Sequence, residues 1–505
     1  MSEGGPTPEV ESVFDDDDGG STRGVIRIAS VAALGGLLFG YETAVINGAT
    51  KAIQNAFQVE PAPLGFAVAS ALIGAAAGAL TAGRIADRIG RLMVMKIAAV
   101  LFLASAIGCA FAPESWGMGG LAFFVVFRII GGFAVGVASV IAPAYIAETS
   151  PARLRGRLGS LQQLAIVTGI FLSFLVNLAL QRLAGGAEKD LWFGMEAWRW
   201  MFLAMALPAI LYGVLSYTIP ESPRYLISQQ RIPEARAVLE RLLGERNLEI
   251  TINRIRSSVK TETKPSWRDL KRPSGKVYPI VWIGLLLSVF QQAVGINVVF
   301  YYSNVVWGSA GFDESSAFLT STFTSVVNIL TTLVAIALVD RVGRKPLLLV
   351  GSVGMTVCLV TLAVAFGQLV DKVDSLGNAV VDADTNEVVQ TLPGIWATVA
   401  LVAFNLFVVF FGMSWGPVVW VLLGEMFPNR FRAAALSLAA AGQWATNWLI
   451  TQTFPIIKDG PGLTFGYSMY AIFAVLSFLF VARFVPETKG KTLEEMDALA
   501  GITDE

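Results

Sequence analysis

The 505-residue sequence contains no histidine. That removes the commonest general base and metal ligand, so any proton chemistry falls to carboxylates. Charge is scarce too: 15% of the residues are Asp, Glu, Lys or Arg, where a soluble protein carries about a quarter. The net charge of −1 gives no reason to expect a nucleic-acid partner. Cysteine is limited to Cys109 and Cys358, far apart inside apolar runs, which reads as packing rather than a disulfide frame. No Asn-x-Ser/Thr sequon occurs, which favours a bacterial source. Residues 1–24 lack the basic n-region of a signal peptide and carry Asp15 to Asp18, so a disordered acidic cytoplasmic tail is expected. With no nucleotide-binding Gly-rich loop and no metal-ligand spacing, no enzyme, cofactor or metal site is expected.

What the chain has is apolar length. It is 54% hydrophobic, with a mean hydropathy of +0.62. Twelve apolar runs are long enough to cross a bilayer, which takes roughly 20 residues. They lie near 25–48, 65–83, 93–112, 119–143, 158–181 and 197–219, then 277–305, 316–339, 346–369, 393–424, 432–457 and 465–485. This predicts an all-α membrane protein with two six-helix halves, 25–220 and 277–485. Between them, 221–276 is expected to form short amphipathic helices, with Ala235, Val238 and Leu239 on the apolar face. Residues 486–505 form a C-terminal tail.

Charge sets the orientation. Alternate short loops hold Arg84, Arg88, Arg91, Arg153, Arg155, Arg157, Arg341, Arg344, Lys345, Arg430 and Arg432, and the opposite loops are sparser in Lys and Arg. The positive-inside rule then puts both termini and the central segment in the cytoplasm. The acidic stretch around Asp371 to Glu387 becomes an outer loop.

The halves repeat. Asp87-Arg88-Ile89-Gly90-Arg91 follows the second run and Asp340-Arg341-Val342-Gly343-Arg344 the eighth. Glu148 to Arg155 is matched by Glu425 to Arg432, each ending in Pro-x-Arg-x-Arg. One such turn is ordinary; the same turns at equivalent places in two halves are a transporter signature.

Polar residues at membrane depth mark the candidate site. Gln291, Gln292 and Asn297 share the seventh run. On a regular helix Gln291 and Asn297 lie about 240° apart, so they share a cavity only if the helix loosens. Gly295 is where it would break, as in transporters that build a midplane site from broken helices. Gln162, Gln163, Asn328, Trp415, Trp420, Gln443, Trp444 and Asn447 add amides and indoles. Amides offer paired donors and acceptors and an indole a flat apolar face, which is the complement of a sugar. Glu42 and Arg128 are the charged residues at depth, each the obvious partner of the other. A titrating pair, a permanent structural bridge and a solvated Glu42 all fit the sequence. Ser70, Gly74, Gly78 and Ala82 form one small-residue ladder and Gly132 with Gly136 another. Either static seams or sliding surfaces would use them.

Over residues 25–493 the chain resembles the sugar porter family of the major facilitator superfamily. The resemblance rests on the two Asp-Arg-x-Gly-Arg loops, Arg128-Ile129-Ile130-Gly131-Gly132, Pro220-Glu221-Ser222-Pro223-Arg224-Tyr225-Leu226, the Gln291-Gln292 stretch, Ser414 to Trp420, and Pro486-Glu487-Thr488-Lys489-Gly490. It implies the major facilitator fold, with a sugar site between two bundles and alternating access. Sugar contacts would fall on Gln163, Gln291, Gln292, Asn297, Asn328, Trp420 and Gln443, with Phe39, Ile170 and Tyr301 lining the site. Glu148, Arg155, Glu221, Arg224, Glu425 and Arg432, with Arg88, Arg91, Arg341 and Arg344, would form a cytoplasmic salt-bridge latch holding an outward-open state. Proton-coupled relatives typically have Asp where this chain has Glu42. The expectation is a proton-coupled importer of a hexose, D-glucose, working as a monomer in the lipid bilayer of a bacterial plasma membrane, its partners a monosaccharide and H+. Its rivals are a passive hexose uniporter, a xylose–proton symporter and, remotely, a non-transporting sugar sensor.

Overall fold

A computed structural model describes residues 22–150, 152–243, 248–261, 270–272, 275–373, 378–381, 388–427 and 431–489. The tail expected over 1–24 lies outside the described residues except for its last three. Most of 486–505 and part of the acidic outer loop also lie outside them.

The first half runs α1 (Thr22–Ala44), α2 (Ile46–Phe57), α3 (Pro61–Ile89), α4 (Arg91–Ala110), α5 (Met118–Thr149), α6 (Ala152–Ala184), α7 (Ala197–Leu203) and α8 (Ala206–Leu215). Three short helices follow, α9 (Pro223–Ser228), α10 (Ile232–Leu243) and α11 (Leu248–Thr261). The second half runs α12 (Pro279–Ala293), α13 (Ile296–Ser309), α14 (Glu314–Val342), α15 (Arg344–Phe366), α16 (Trp396–Met413), α17 (Trp415–Met426), α18 (Arg432–Asp459) and α19 (Leu463–Phe484). Two antiparallel hairpins, β1 (Asp190–Trp192) with β2 (Met195–Glu196) and β3 (Val370–Asp371) with β4 (Gln390–Thr391), decorate the loops.

Among the described residues, eleven helical stretches are long and apolar enough to cross a membrane. Four of them are broken pairs: α1 with α2, α7 with α8, α12 with α13, and α16 with α17. The twelfth expected crossing is α18, 28 residues long. Its Gln443, Thr446, Asn447, Thr451 and Gln452 dilute its hydropathy. A crossing helix that places amides against protein need not be apolar all round.

Three of the breaks have a local feature beside them. Gly295 takes φ +82°, a left-handed turn that costs glycine little. A Cβ there would also sit 2.6 Å from the Tyr470 ring. Pro417, three residues into α17, supplies no N–H to the preceding turn, and the helix breaks at Ser414 (φ −132°, ψ −86°). Between α1 and α2, Asn177 donates to the Val45 carbonyl at 3.2 Å.

The small-residue ladders face each other. A Cβ on Gly74 would lie 2.0 Å from the Ile129 carbonyl, and one on Gly132 1.9 Å from that of Ala71. The ladders are therefore one close seam between α3 and α5, inside the first half. Cys109 and Cys358 are both free and buried. The short central helices bury Leu226, Ile227, Ala235, Leu239, Leu248 and Ile252 in a small core of their own.

Candidate functional site

In the first half, Glu42 on α1 and Arg128 on α5 meet in a sealed pocket, with side chains 0% and 1% exposed. Arg128 Nη1 lies 2.6 Å from Glu42 Oε1 and donates to the Glu42 carbonyl at 2.9 Å. Ser105 on α4 donates to the same carboxylate at 3.3 Å. Gly131, one turn past Arg128, leaves room: a Cβ there would fall 2.5 Å from Glu42 Oε1 and 2.3 Å from Ser105 Oγ. This geometry removes the solvated alternative for Glu42. A buried charge without a partner is costly, so each residue depends on the other.

In the second half, the break at Gly295 brings Asn297 round to Gln291 and Gln292. Asn297 Nδ2 donates to Gln292 Oε1. Gln292 Nε2 reaches Gln291 Oε1 at 3.5 Å. Gln291 Nε2 donates to the Trp415 and Gly416 carbonyls at 2.9 and 3.1 Å, at the break between α16 and α17. The three amides thus form a directed relay linking two broken crossings. Asn297 is half-buried, while Gln291 and Gln292 are buried.

The remaining candidates lie on α1, α6, α13, α14, α17 and α18. Gln163 on α6 is exposed, and Trp420 on α17 is 44% exposed. Gln443 on α18 is half-buried, and its Oε1 has no hydrogen-bond partner among the described residues. Asn328 on α14 and Tyr301 on α13 are buried. Phe39 and Ile170 are half-buried beside the crossing of α1 and α6. There Gly40 lets the helices approach so closely that a Cβ would meet the Ile166 carbonyl at 1.9 Å. Two of the polar residues turn away from any solute role. Trp415 is fully buried, its indole N–H donating to Ser352 Oγ at 2.9 Å and the Leu348 carbonyl at 3.1 Å. Gln162 is buried against Gly36.

The arginine-rich end repeats in detail. Arg91 forms a two-bond pair with Glu148, at 3.1 and 3.0 Å, and Ser222 donates to the same carboxylate. Arg344 pairs likewise with Glu425, at 3.0 and 2.7 Å, and Thr488 donates to it at 2.6 Å. Glu221 accepts the N–H groups of Arg91, Leu92 and Ser222, capping the start of α4. Glu487 accepts those of Arg344, Lys345, Thr488 and Lys489, capping the start of α15. Carboxylates suit these positions because helix N-termini present free N–H groups and positive potential. The Arg91–Glu148 and Arg344–Glu425 pairs each join two residues of the same half.

Arg88 and Arg341 have exposed side chains. Their carbonyls accept from Tyr225 and Lys489. Arg224 is half-buried. Arg432 donates to the Phe427 carbonyl at 3.0 Å. The side chain of Arg155 lies outside the described residues. Gly131, Ser222, Glu487 and Thr488 lie in the quoted motifs without an assigned role, and Ser105 lies in none of them. The Pro-Glu-Ser and Pro-Glu-Thr triplets after the sixth and twelfth crossings were the available signal for Ser222, Glu487 and Thr488.

The halves are bonded at the opposite end. Asn47 donates to Ser303 at 2.8 Å, Ser303 and Ser321 are 2.6 Å apart, and Ser321 donates to Asn304 at 2.6 Å. The Asn304 N–H returns to Asn47 Oδ1 at 3.0 Å, closing a ring across α2, α13 and α14. Gln452 donates to the Ala62 carbonyl at 2.9 Å, and a Cβ on Gly65 would sit 2.3 Å from the Gln452 carbonyl.

Comparison with known proteins agrees with this architecture. The family model "Sugar (and other) transporter" matches residues 28–500. A glucose transport protein from Synechocystis is 52% identical over 94% of this chain and 97% of its own length. The D-xylose–proton symporter of Escherichia coli is 39% identical over 94% of this chain and 95% of its own. The inward-open structure of the E. coli xylose transporter XylE superposes with a TM-score of 0.77 at 38% identity, covering 94% of this chain and 99% of that one. By sequence, fold and the paired motifs of its two halves, the chain belongs to the sugar transporter family of the major facilitator superfamily.

Proposed function

We propose that this protein carries a hexose, D-glucose, into the cell together with a proton, moving one central site between the two faces of a bacterial plasma membrane. The observation that carries the reading is the pairing of a sealed Glu42–Arg128 bridge in one half with a relay of neutral amides in the other. The amides and Trp420 suit a polar, uncharged ring. Gln163, Gln291, Gln292, Asn297, Asn328, Trp420 and Gln443 contact the sugar, and Phe39, Ile170 and Tyr301 line its site. The glucose transport protein from Synechocystis and the E. coli D-xylose–proton symporter support both the solute class and the coupling.

A proton reaches Glu42 only when its pocket opens. Protonation ends the charge pairing with Arg128, and deprotonation restores it, so the proton and the rearrangement are tied. Both termini and the arginine-rich end face the cytoplasm, and the protein works as a monomer. With its halves bonded through Asn47, Ser303 and Asn304, the conformation described here faces inward. The arginine stations brace each bundle as a rigid body for that movement.

The coupling has a size. One charge moving down 100 mV releases about 2.3 kcal/mol, enough for roughly a fifty-fold sugar gradient at about 1.4 kcal/mol per tenfold. In proteoliposomes with an inward proton gradient, labelled glucose should accumulate and an uncoupler should abolish it. Glu42→Gln should lose accumulation and keep counterflow. Accumulation that survives the uncoupler would sink the coupling. Loss of counterflow as well would make Glu42 a structural residue.

A further inference from the structure

The loop between the fifth and sixth crossings ends in a two-residue hairpin turn, with Trp192 paired to Met195 and Phe193-Gly194 at its tip. Both tip residues have positive φ, 57° and 69°. Such turns favour Asn-Gly or Asp-Gly, and a bulky side chain in the left-handed region is an outlier. Phe193 nevertheless occupies the first position, with its ring 92% exposed. Burial inside the protein does not explain this residue.

The hairpin rests on the exposed face of the sixth crossing. Trp192 and Phe193 place their ring centroids 5.3 and 6.2 Å from that of Trp200, one turn into α7. Below Trp200 the same helical face continues through Leu207, Ile210, Leu211 and Val214, all of them exposed. Just past the end of α8 is the exposed Tyr217, where the Lys96 ammonium lies 3.7 Å from the ring centroid. Trp200 and Tyr217 are about 25 Å apart along the helix, close to the roughly 30 Å of a hydrocarbon core. Aromatic rings mark both ends of such a core, and a basic residue suits the cytoplasmic end.

The back of the loop is tied down. Its Ala197 and Trp198 N–H groups bond the Lys189 and Ala187 carbonyls at 2.9 Å, and Asn55 donates to Glu188 at 2.9 Å. The hairpin is therefore held in place with its aromatic edge outward.

We propose that Trp192 and Phe193 form a wedge seated in the interfacial zone of the outer lipid leaflet, docking the N-terminal half to the membrane. The partner is the phospholipid surface itself. Glu188, Lys189, Asp190, Glu196 and Arg199 mix both signs around the hairpin, so the wedge needs no anionic headgroup.

The test uses the full chain in lipid nanodiscs, with Phe193→Cys carrying an environment-sensitive fluorophore; the native thiols are buried. A nitroxide near the headgroup, on carbon 5 of the lipid chain, should quench the label at least about twofold more than one on carbon 16. Aqueous iodide should quench it weakly, with or without glucose. Strong iodide quenching without lipid quenching would overturn the proposal. So would shielding that appears only when glucose is added, since the rings would then be a sugar platform.

Discussion

The two halves of this molecule share a fold and a set of surface motifs, yet they put different chemistry at membrane depth. The first half buries a full ion pair, Glu42 with Arg128, at 0% and 1% exposure. Among the described residues, the second half carries neutral amides in place of a buried ion pair in its broken crossings, and one of them, Asn297, is half-buried. A charge in low dielectric interacts strongly with any nearby dipole, so charges beside a sugar would compete with its hydroxyls for every bond. In the proposed mechanism, that separation keeps recognition neutral and leaves titration to the sealed Glu42–Arg128 pocket.

Breaking the charged side of this contrast should have the largest effect. Among the described residues, Arg128→Ala leaves the buried Glu42 carboxylate with Ser105 as its hydrogen-bond partner. Removing one partner of a buried pair costs about 3–5 kcal/mol. Thermal unfolding in detergent should show that loss at neutral pH, together with loss of accumulation. The double variant Arg128→Met with Glu42→Gln should recover much of the stability, because no uncompensated charge remains. If the single and double variants unfold alike, the pair is not the dominant interaction in its pocket.

The neutral side should break differently. Gln291→Ala removes the donor to the Trp415 and Gly416 carbonyls and interrupts the relay from Asn297. An unmade buried hydrogen bond costs about 1–3 kcal/mol. We expect apparent sugar affinity to fall by roughly 5- to 150-fold, while glucose-driven and proton-driven movements that still occur keep their coupling. Counterflow and accumulation measured side by side would separate the two. A variant that binds sugar normally but uncouples it would reverse the assignment of jobs between the halves.

Much of this was legible in the sequence, and for physical reasons. Apolar length gave the crossings, and the impossibility of joining Gln291 to Asn297 on a regular helix located the break at Gly295. The repeat of Asp-Arg-x-Gly-Arg placed the arginine stations. Other parts depend on neighbours far along the chain. Trp415 reads as a site residue beside Trp420, but the break at Ser414 turns its indole into the core toward Ser352. The room that Gly131 leaves for the longer Glu42 side chain exists only because α1, α4 and α5 converge there. The ring through Asn47, Ser303, Ser321 and Asn304 joins residues over 250 positions apart, each unremarkable alone.

At the arginine-rich end the halves look alike, and the smallest predicted effect tests whether they behave alike. Glu221 and Glu487 each cap the first turn of a helix. Burial pushes the Glu221 carboxyl above the usual carboxylate range, outweighing its bonds from Ser222, Leu92 and Arg91. Burial also acts on Glu487, but four backbone N–H groups, from Lys489, Arg344, Lys345 and Thr488, outweigh it and hold the carboxyl low. The linkage signs are therefore opposite. Glu221 binds its proton more tightly in the folded protein, so its contribution is greatest at low pH and declines as pH rises through its raised folded value. Glu487 contributes above the unfolded carboxylate value and loses that contribution as pH falls through its lowered folded value. Acidification should protonate the cap of the N-terminal half first while the C-terminal cap stays charged. Unfolding of Glu487→Gln followed from pH 7 down to pH 4 should show a deficit relative to the parent that narrows on acidification. Glu221→Gln should show a smaller deficit or a gain at pH 7. Identical pH profiles for the two variants would mean that the extra N–H of Lys489 does not distinguish the caps, and that the halves differ only at depth.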